Sequence, residues 1–199
     1  MKTYGDEGWI SLLQDRMERA RNRKIQNGSV FVGDEALGFA EREIIKDRLW
    51  MWLPEQFQKM PARMAKQKYP NAACMQQIYT NLEMTIDLCF TLPAGEIEKD
   101  DEEVFAFRDD IAQYVQQQYA PCEKLKRAVV KAGEVKVPWL EFVAPAEDTQ
   151  IYNLLYFVAL DVNKDTAAEL LLGACNCPAQ DADDWKNIFL QMLASMRTG

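Results

Sequence analysis

The segment from Ile151 to Arg197 constrains the fold of this chain more strongly than any other part of its sequence. Two apolar runs, 152–162 and 168–177, are separated by the polar residues 163–165, a pattern typical of a β-hairpin. Large apolar side chains then recur at i, i+3, i+4, i+7, i+8 and i+11, as on one face of an α-helix. They are Trp185, Ile188, Phe189, Met192, Leu193 and Met196. We therefore predict a strand, a turn, a second strand and a closing amphipathic helix that needs a sheet or other helices to cover it.

Local signals mark the start of this closing helix. Pro178 ends the preceding strand, and Asp181 is placed to act as the N-cap by accepting backbone N–H bonds. Asp183 and Asp184 follow, where the helix dipole favours negative charge. Cation binding is the alternative for these acids and for the acidic run 100–103, but neither run has the alternating spacing of a calcium loop. We interpret both runs as helix starts.

The rest of the chain alternates between helical and strand-like patterns. We predict helices at 9–24, at 61–68 and from the acidic run 100–103 to residue 118. Predicted strands are 30–32, 44–53, 75–80, 83–92, 125–132 and 135–143, the last two joined by a turn at Gly133 and Glu134. Pro138 indicates an edge strand or a bulge.

Together these elements predict an α+β fold in which a central, mainly antiparallel sheet is flanked by helices. A chain of 199 residues is long enough for one domain with a well-buried core. We assign residues 1–28 to an N-terminal helical arm, because Asn27 and Gly28 end the first helical pattern. Residues 29–199 are then a single α+β sandwich domain.

Charge and hydropathy restrict the partners of the chain. Its 31 Asp and Glu residues exceed its 23 Lys and Arg residues, and the formal net charge is −8. A broad basic surface for phosphate backbones is missing, and we interpret the one basic cluster, at 16–24, as the solvated face of a helix rather than an anion-binding surface. No segment reaches the roughly 18 apolar residues of a membrane span, and the first residues lack the apolar region of a signal peptide. We expect no nucleic-acid partner, no membrane span and a cytoplasmic protein, unless a signal peptide has been removed.

Histidine is absent from the chain, which removes the commonest general base, the usual serine and cysteine triads and most zinc sites. The glycines form neither a G-x-G-x-x-G nor a Walker A pattern. Five cysteines, an odd number, fit free and mostly buried thiols better than a disulfide framework. Cys175 and Cys177 face the same side of a predicted strand, where we expect packing rather than metal or redox chemistry. We predict no catalytic residue, no metal ligand and no cofactor.

Large aromatic residues on the predicted strands are the one feature that points to a function. A sheet face rich in such groups either forms the core or receives a helix or peptide of a partner protein. Core packing is the expectation for most of them. We predict that some of them line a partner-binding surface, and the candidates are Trp50, Trp52, Trp139 and Phe157.

Three parts of the sequence carry a family resemblance. They are Arg48-Leu-Trp-Met-Trp-Leu-Pro-Glu-Gln-Phe, then Tyr69-Pro with Gln77-Ile-Tyr-Thr-Asn, and Leu170-Leu-Leu-Gly-Ala-Cys-Asn-Cys-Pro before Trp185-Lys-Asn-Ile-Phe. In this order the chain resembles the PsbP-like α/β/α sandwich superfamily, which includes extrinsic photosystem proteins, a Ran-binding nuclear import factor, bacterial DcrB-type proteins and chaperones that load type VI secretion effectors. The resemblance implies an α/β/α sandwich and a binding or assembly role. The effector-loading chaperones, which bind apolar helices in the cytosol, are the closer functional analogy.

Two hypotheses for function follow. The first is a non-enzymatic protein-binding module, such as an adaptor or a secretion-type chaperone. The second is a small histidine-free enzyme that uses carboxylates or a thiol. The second hypothesis requires a polar pocket that gathers separated acids, such as Asp87, Asp161 and Asp165, or an abnormally reactive Cys177.

Overall fold

The computed structural model describes residues 8–11, 24–32, 35–69, 75–93, 95–98, 100–119, 125–146, 149–162 and 167–199, without the side chains of Met75 and Gln76. The strands are β1 (Ser29–Val32), β2 (Glu35–Ile45), β3 (Leu49–Pro54), β4 (Gln58–Lys59), β5 (Met75–Thr80), β6 (Asp87–Thr91), β7 (Glu96–Glu98), β8 (Lys126–Ala132), β9 (Val135–Ala146), β10 (Thr149–Asp161), β11 (Ala167–Pro178) and β12 (Arg197–Thr198). The helices are α1 (Ala62–Lys68), α2 (Asp101–Gln118) and α3 (Ala182–Ala194), and residues 8–11 are also helical.

These strands form two antiparallel sheets. The small sheet has the order β1-β2-β3-β12, and the large sheet has the order β4-β5-β6-β11-β10-β9-β8, with β7 pairing with β11. The long strands β9, β10 and β11 are consecutive in the chain and adjacent in the large sheet. Local hairpins therefore build most of the large sheet, whereas β12 joins the small sheet from the far end of the sequence.

The predicted α+β fold with one central sheet flanked by helices is wrong, and so is the α/β/α sandwich, because the chain forms a largely β structure with two sheets. The apolar run 44–53, predicted as one strand, contains the turn between β2 and β3, and Asp47 in that turn has a left-handed φ of 57°. Strand β2 carries Glu41, Arg42 and Glu43 in succession, which hides it from a search for apolar alternation. The sequence pattern therefore missed the second sheet.

The main core joins one face of the large sheet, the small sheet and α3. Strand β10 contributes every second residue from Tyr152 to Leu160, as the two-residue period of a strand requires. The whole predicted apolar stripe of the closing helix is buried in this core, from Trp185 to Met196. The two strands and the helix predicted for this part of the chain are confirmed by β10, β11 and α3, whereas the predicted turn at 163–165 lies outside the described residues.

The opposite face of the large sheet is covered by two helices. Helix α2 packs on a cluster around Leu140, Phe142 and Phe157, and the rings of Phe107 and Phe157 meet edge to face with centroids 5.8 Å apart. Helix α1 packs on a smaller cluster around Met60, Ile78 and Cys89. Both faces of the large sheet are therefore covered, which explains the long apolar runs of its central strands.

The local signals at helix starts have mixed outcomes. The side chain of Asp100 caps α2, because its Oδ1 accepts a hydrogen bond from the backbone N–H of Glu102 at 3.1 Å. Asp181 makes no side-chain capping bond at α3, because the chain enters that helix through a 3-10 turn at Ala179–Asp181.

Pro138 lies on β9, an internal strand rather than an edge strand. The pairing of β9 with β10 reaches only to Trp139, so that ladder does not need the N–H that proline lacks.

The predicted N-terminal arm is only partly within the described residues. Residues 12–23 lie outside them, whereas Ile25 is buried in the main core and its backbone N–H donates to Gln191 Oε1 at 3.0 Å.

Cys89, Cys175 and Cys177 are free and buried, while Cys74 and Cys122 lie outside the described part of the chain. No helix that the structure describes is both long and apolar enough to cross a bilayer.

Candidate functional site

The four aromatic residues predicted to bind a partner do not form one surface. Phe157 is fully buried beneath α2, and Trp139 is buried on the other face of the large sheet. Trp50 and Trp52 lie half-buried on β3 in the small sheet. Their role in partner binding stays a prediction, and Trp50 and Trp52 are the two with exposed surface to offer.

Trp50 is part of a small cluster with charged neighbours. The guanidinium carbon of Arg197 lies 4.2 Å from the centroid of the Trp50 ring, a close cation–π contact. Arg197 also approaches Glu41, with 3.4 Å between Nη2 and Oε2. Arg197 and Trp50 are cross-strand partners on β12 and β3. This cluster therefore holds β12 in place on the edge of the small sheet.

The acids named for an enzyme site are not gathered in one pocket. Asp87 pairs with Asn176 near the end of β11, whereas Asp161 pairs with Ala168 near its start. Eight strand positions separate the two partners, which is about 26 Å at roughly 3.3 Å per residue. Asp165 lies outside the described residues. Asp87 and Asp161 thus lie at opposite ends of the large sheet.

Asp87 itself belongs to a buried polar cluster beneath α1. Lys68 Nζ lies 2.6 Å from its Oδ2, Thr80 Oγ1 lies 2.6 Å from its Oδ1, and the Tyr69 hydroxyl donates to Oδ2. Burial, the carboxylate and the nearby Cys89 raise the pKa of Tyr69, which keeps its hydroxyl protonated as a donor. Asp87 therefore anchors the residues at the end of α1 to β6.

Cys177 has no sign of an activated thiolate. Its side chain is buried in the main core, and this burial, together with the charge of Asp181, raises its pKa to about 12. The pKa of Cys175 is also raised by burial. Reactive cysteines have lowered pKa values, so these two thiols behave as packing residues.

A cleft of about 1000 Å³ opens beside the large sheet. The cleft is lined by the end of α2 with Tyr119, the starts of β8 and β10, the second half of β9, residues 179 and 180, and the first two turns of α3. Tyr119 and Phe142 form one wall, with stacked rings whose centroids are 5.9 Å apart. The volume is at the upper end of the range for small-molecule sites, but the lining is more polar than the mostly apolar lining of such sites.

Glu141 is the buried carboxylate of this cleft, with 4% of its surface exposed. The Tyr152 hydroxyl donates to its Oε2 at 2.6 Å, and Lys186 Nζ donates to its Oε1 at 2.6 Å. Lys126 Nζ lies 3.8 Å from the same Oε1, an ion-pair distance that is too long for a hydrogen bond. The cluster joins β8, β9, β10 and α3 at one point.

The fold explains why these groups meet. Glu141 pairs with Lys126 on one side and with Leu154, two residues from Tyr152, on the other. Lys186 comes from the second turn of α3, and its Nζ lies 5.8 Å from the centroid of the Trp139 ring. Trp139, one of the predicted aromatic residues, thus supports the cleft from within the core.

The electrostatics of the cluster favour a neutral Tyr152. Burial, the hydrogen bond to Glu141 and the charge of that carboxylate raise the pKa of Tyr152, so its phenol remains a donor. Both oxygens of Glu141 are occupied by donors. Within the described residues, no group of three or more Cys, Asp and Glu side chains is arranged to hold a metal ion.

The sequence patterns do not single out Glu141, Tyr152 or Lys186 as site residues. One signal was present, because Glu141 interrupts the apolar run from Val137 to Ala144 and an isolated acid in such a run needs a partner. The identity of the partners was not readable, because Lys186 lies 45 positions away on another element.

The fold and the cleft define a largely β protein of two antiparallel sheets with an open cleft of mixed polarity. Comparison with known proteins found no matching family model and no matching curated protein.

Proposed function

We propose that this protein is a non-enzymatic binding module that receives a segment of another protein in the cleft between α2, β9, β10 and α3. One observation carries the proposal. A cleft of about 1000 Å³ reaches both faces of the large sheet at the end of β9, with the aromatic pair Tyr119 and Phe142 on the α2 side and the buried, fully paired carboxylate of Glu141 on the α3 side.

The groups in and near the cleft suit binding better than catalysis. Glu141 is engaged by Lys186 and Tyr152, so it is not poised to take a proton from a substrate. The raised pKa of Tyr152 disfavours a phenolate, and the raised pKa of Cys177 disfavours a thiolate nucleophile. These properties support the binding hypothesis over a histidine-free enzyme.

The broader role of such a module remains part of the proposal. An adaptor or a secretion-type chaperone in the cytoplasm is consistent with the cleft. Membership of the PsbP-like superfamily stays a prediction and adds no support, because the α/β/α sandwich that it implies is not the observed fold. Trp50 and Trp52 on the small sheet would then provide a second contact surface. Binding of a segment in the cleft does not depend on this second surface.

The test is a pair of substitutions on α2. Gln118 lines the cleft, whereas the neighbouring residue Gln117 is equally an exposed glutamine but does not line it. Gln118→Trp should fill the entrance and abolish the capture of partner proteins from the native cell lysate. This variant and the control Gln117→Trp should both remain folded. Gln117→Trp should capture the same proteins as the unsubstituted chain. Capture that is unaffected by Gln118→Trp would refute binding in this cleft.

A further inference from the structure

Two ammonium groups converge on a single carboxylate in the cleft. Lys186 Nζ is 2.6 Å and Lys126 Nζ is 3.8 Å from the same oxygen, Oε1 of Glu141. Two positive charges and one negative charge leave the cluster with a net charge of +1 at neutral pH. This surplus stands out in a chain whose formal net charge is −8.

The surplus charge is available for a ligand because Glu141 needs only one of the two lysines. Lys186 and Tyr152 already hydrogen-bond both oxygens of Glu141. The side chain of Lys126 is 66% exposed, and its contact with Glu141 is too long for a hydrogen bond. An ammonium has three donors, so Lys126 can bind a further acceptor without uncovering Glu141.

The second carboxylate in the lining does not cancel this charge. Asp183 is exposed to solvent at the start of α3, where the helix dipole already favours it. Among the described residues, Asp183 forms no ion pair with Lys126 or Lys186, whereas Glu141 pairs with both. The positive potential is therefore centred on Lys126 and Lys186.

We propose that the cleft recognises an acidic side chain, Asp or Glu, on the segment of its partner protein, with the carboxylate bridging Lys126 and Lys186. An aromatic residue next to that acid in the segment stacks on the exposed ring of Tyr119, which covers the buried ring of Phe142. This inference rests on the proposed function, because it names the chemistry of the partner at the same cleft.

Lys126 and Lys186 have different tasks in this arrangement. Lys186 is the half-buried residue that neutralises Glu141, whereas Lys126 is the exposed residue that gives the ligand its charge-assisted hydrogen bond. Substituting Lys126 therefore tests recognition without leaving a buried charge unpaired. Lys131 is a matched control, because it is an exposed lysine on the same strand β8 and does not line the cleft.

The experiment uses two pools of fluorescent nonapeptides, blocked at both ends, with a fixed Phe beside a fixed central residue. The central residue is Glu in one pool and Gln in the other, and all other positions are randomised identically. Fluorescence anisotropy gives the affinity of each pool for the full chain. We expect the Glu pool to bind about tenfold more tightly, as a charge-assisted contact predicts. Lys126→Ala should remove most of this preference and Lys131→Ala should keep it.

The other outcomes show whether only the carboxylate inference fails or whether the proposed binding function fails with it. Equal binding of both pools that Gln118→Trp blocks would overturn the carboxylate inference and leave the binding cleft intact. A preference for Glu that survives Lys126→Ala would also overturn the inference. Binding of neither pool by the unsubstituted chain would overturn both the inference and the proposed function.

Discussion

The ring of Tyr156 lies so close to its cross-strand partner Gly173 that a Cβ atom at residue 173 would be 1.8 Å from Tyr156 Cζ. Both residues face the main core, where Tyr156 is almost completely buried. Gly173→Ala should therefore lower the free energy of unfolding by about 1–3 kcal/mol, as overpacking does in other cores. Urea denaturation followed by circular dichroism measures this loss.

Gly38→Ala is the control for this substitution. Gly38 also lies on a strand, but the atom nearest to an added Cβ is Glu55 Oε2, at 2.9 Å, the end of an exposed and flexible side chain. We expect a change within about 0.5 kcal/mol. Equal losses at both glycines would show that the contact with Tyr156 is not the cause.

Lys186→Met should lower the free energy of unfolding, because it leaves the buried carboxylate of Glu141 without its nearest cation. Glu141 would keep only the Tyr152 hydroxyl and the distant Lys126. Removal of one partner from a buried ion pair typically lowers the free energy of unfolding by about 3 kcal/mol or more. Lys126→Met removes an exposed charge at 3.8 Å and should cost less than about 1 kcal/mol. Chemical denaturation of both variants gives the comparison, and a smaller loss for Lys186→Met than for Lys126→Met would contradict it.

Stability should fall at alkaline pH. Burial, reinforced by Asp87, raises the pKa of Cys89 to about 12, and burial with Asp181 does the same for Cys177. In the unfolded chain these thiols lose their protons near their ordinary value of 9.0. The folded state therefore binds more protons between these values, so stability is complete below about pH 9 and is lost as the pH rises towards about 12.

Cys177→Ala checks the origin of this alkaline loss. Denaturation curves recorded from about pH 8 to about pH 11 should have a shallower pH dependence in this variant, by up to about 1.4 kcal/mol per pH unit. An unchanged pH dependence would assign the loss to other groups, such as the buried tyrosines.

Asp87→Ala should release α1 from the large sheet. The substitution removes the acceptor of Thr80 and Tyr69 and the counter-ion of Lys68, which together hold the end of α1 on β6. Amide hydrogen exchange should become faster at residues 62–68 while the core of α2 keeps its protection. Uniform acceleration across both helices would mean that Asp87 supports the whole domain rather than α1.

The sequence was sufficient where neighbouring residues decide the structure. The stripe from Trp185 to Met196 produced α3, and the turn at Gly133 and Glu134 joined β8 to β9, because both patterns lie within short windows. Helix α1 was predicted at its observed place for the same reason. These elements need no information from distant parts of the chain.

The small sheet and the cleft could not be derived in this way. β12 consists of Arg197 and Thr198, two residues with no strand pattern, and it exists because β3 offers a free edge. The polar cluster of the cleft brings Glu141, Tyr152 and Lys186 together from three elements. Periodicity describes one element at a time, so contacts between elements remain outside its reach.

The pairing of β12 with β3 also has a consequence for synthesis on the ribosome. Strands β1 to β3 leave the ribosome early, but their sheet lacks its fourth strand until residues 197 and 198 have emerged. During this interval the edge of β3, including Trp50, is open to other chains, and such unpaired edges promote misassembly. The nascent chain therefore has an unpaired, aggregation-prone edge on β3 until residues 197 and 198 have emerged and β12 has paired.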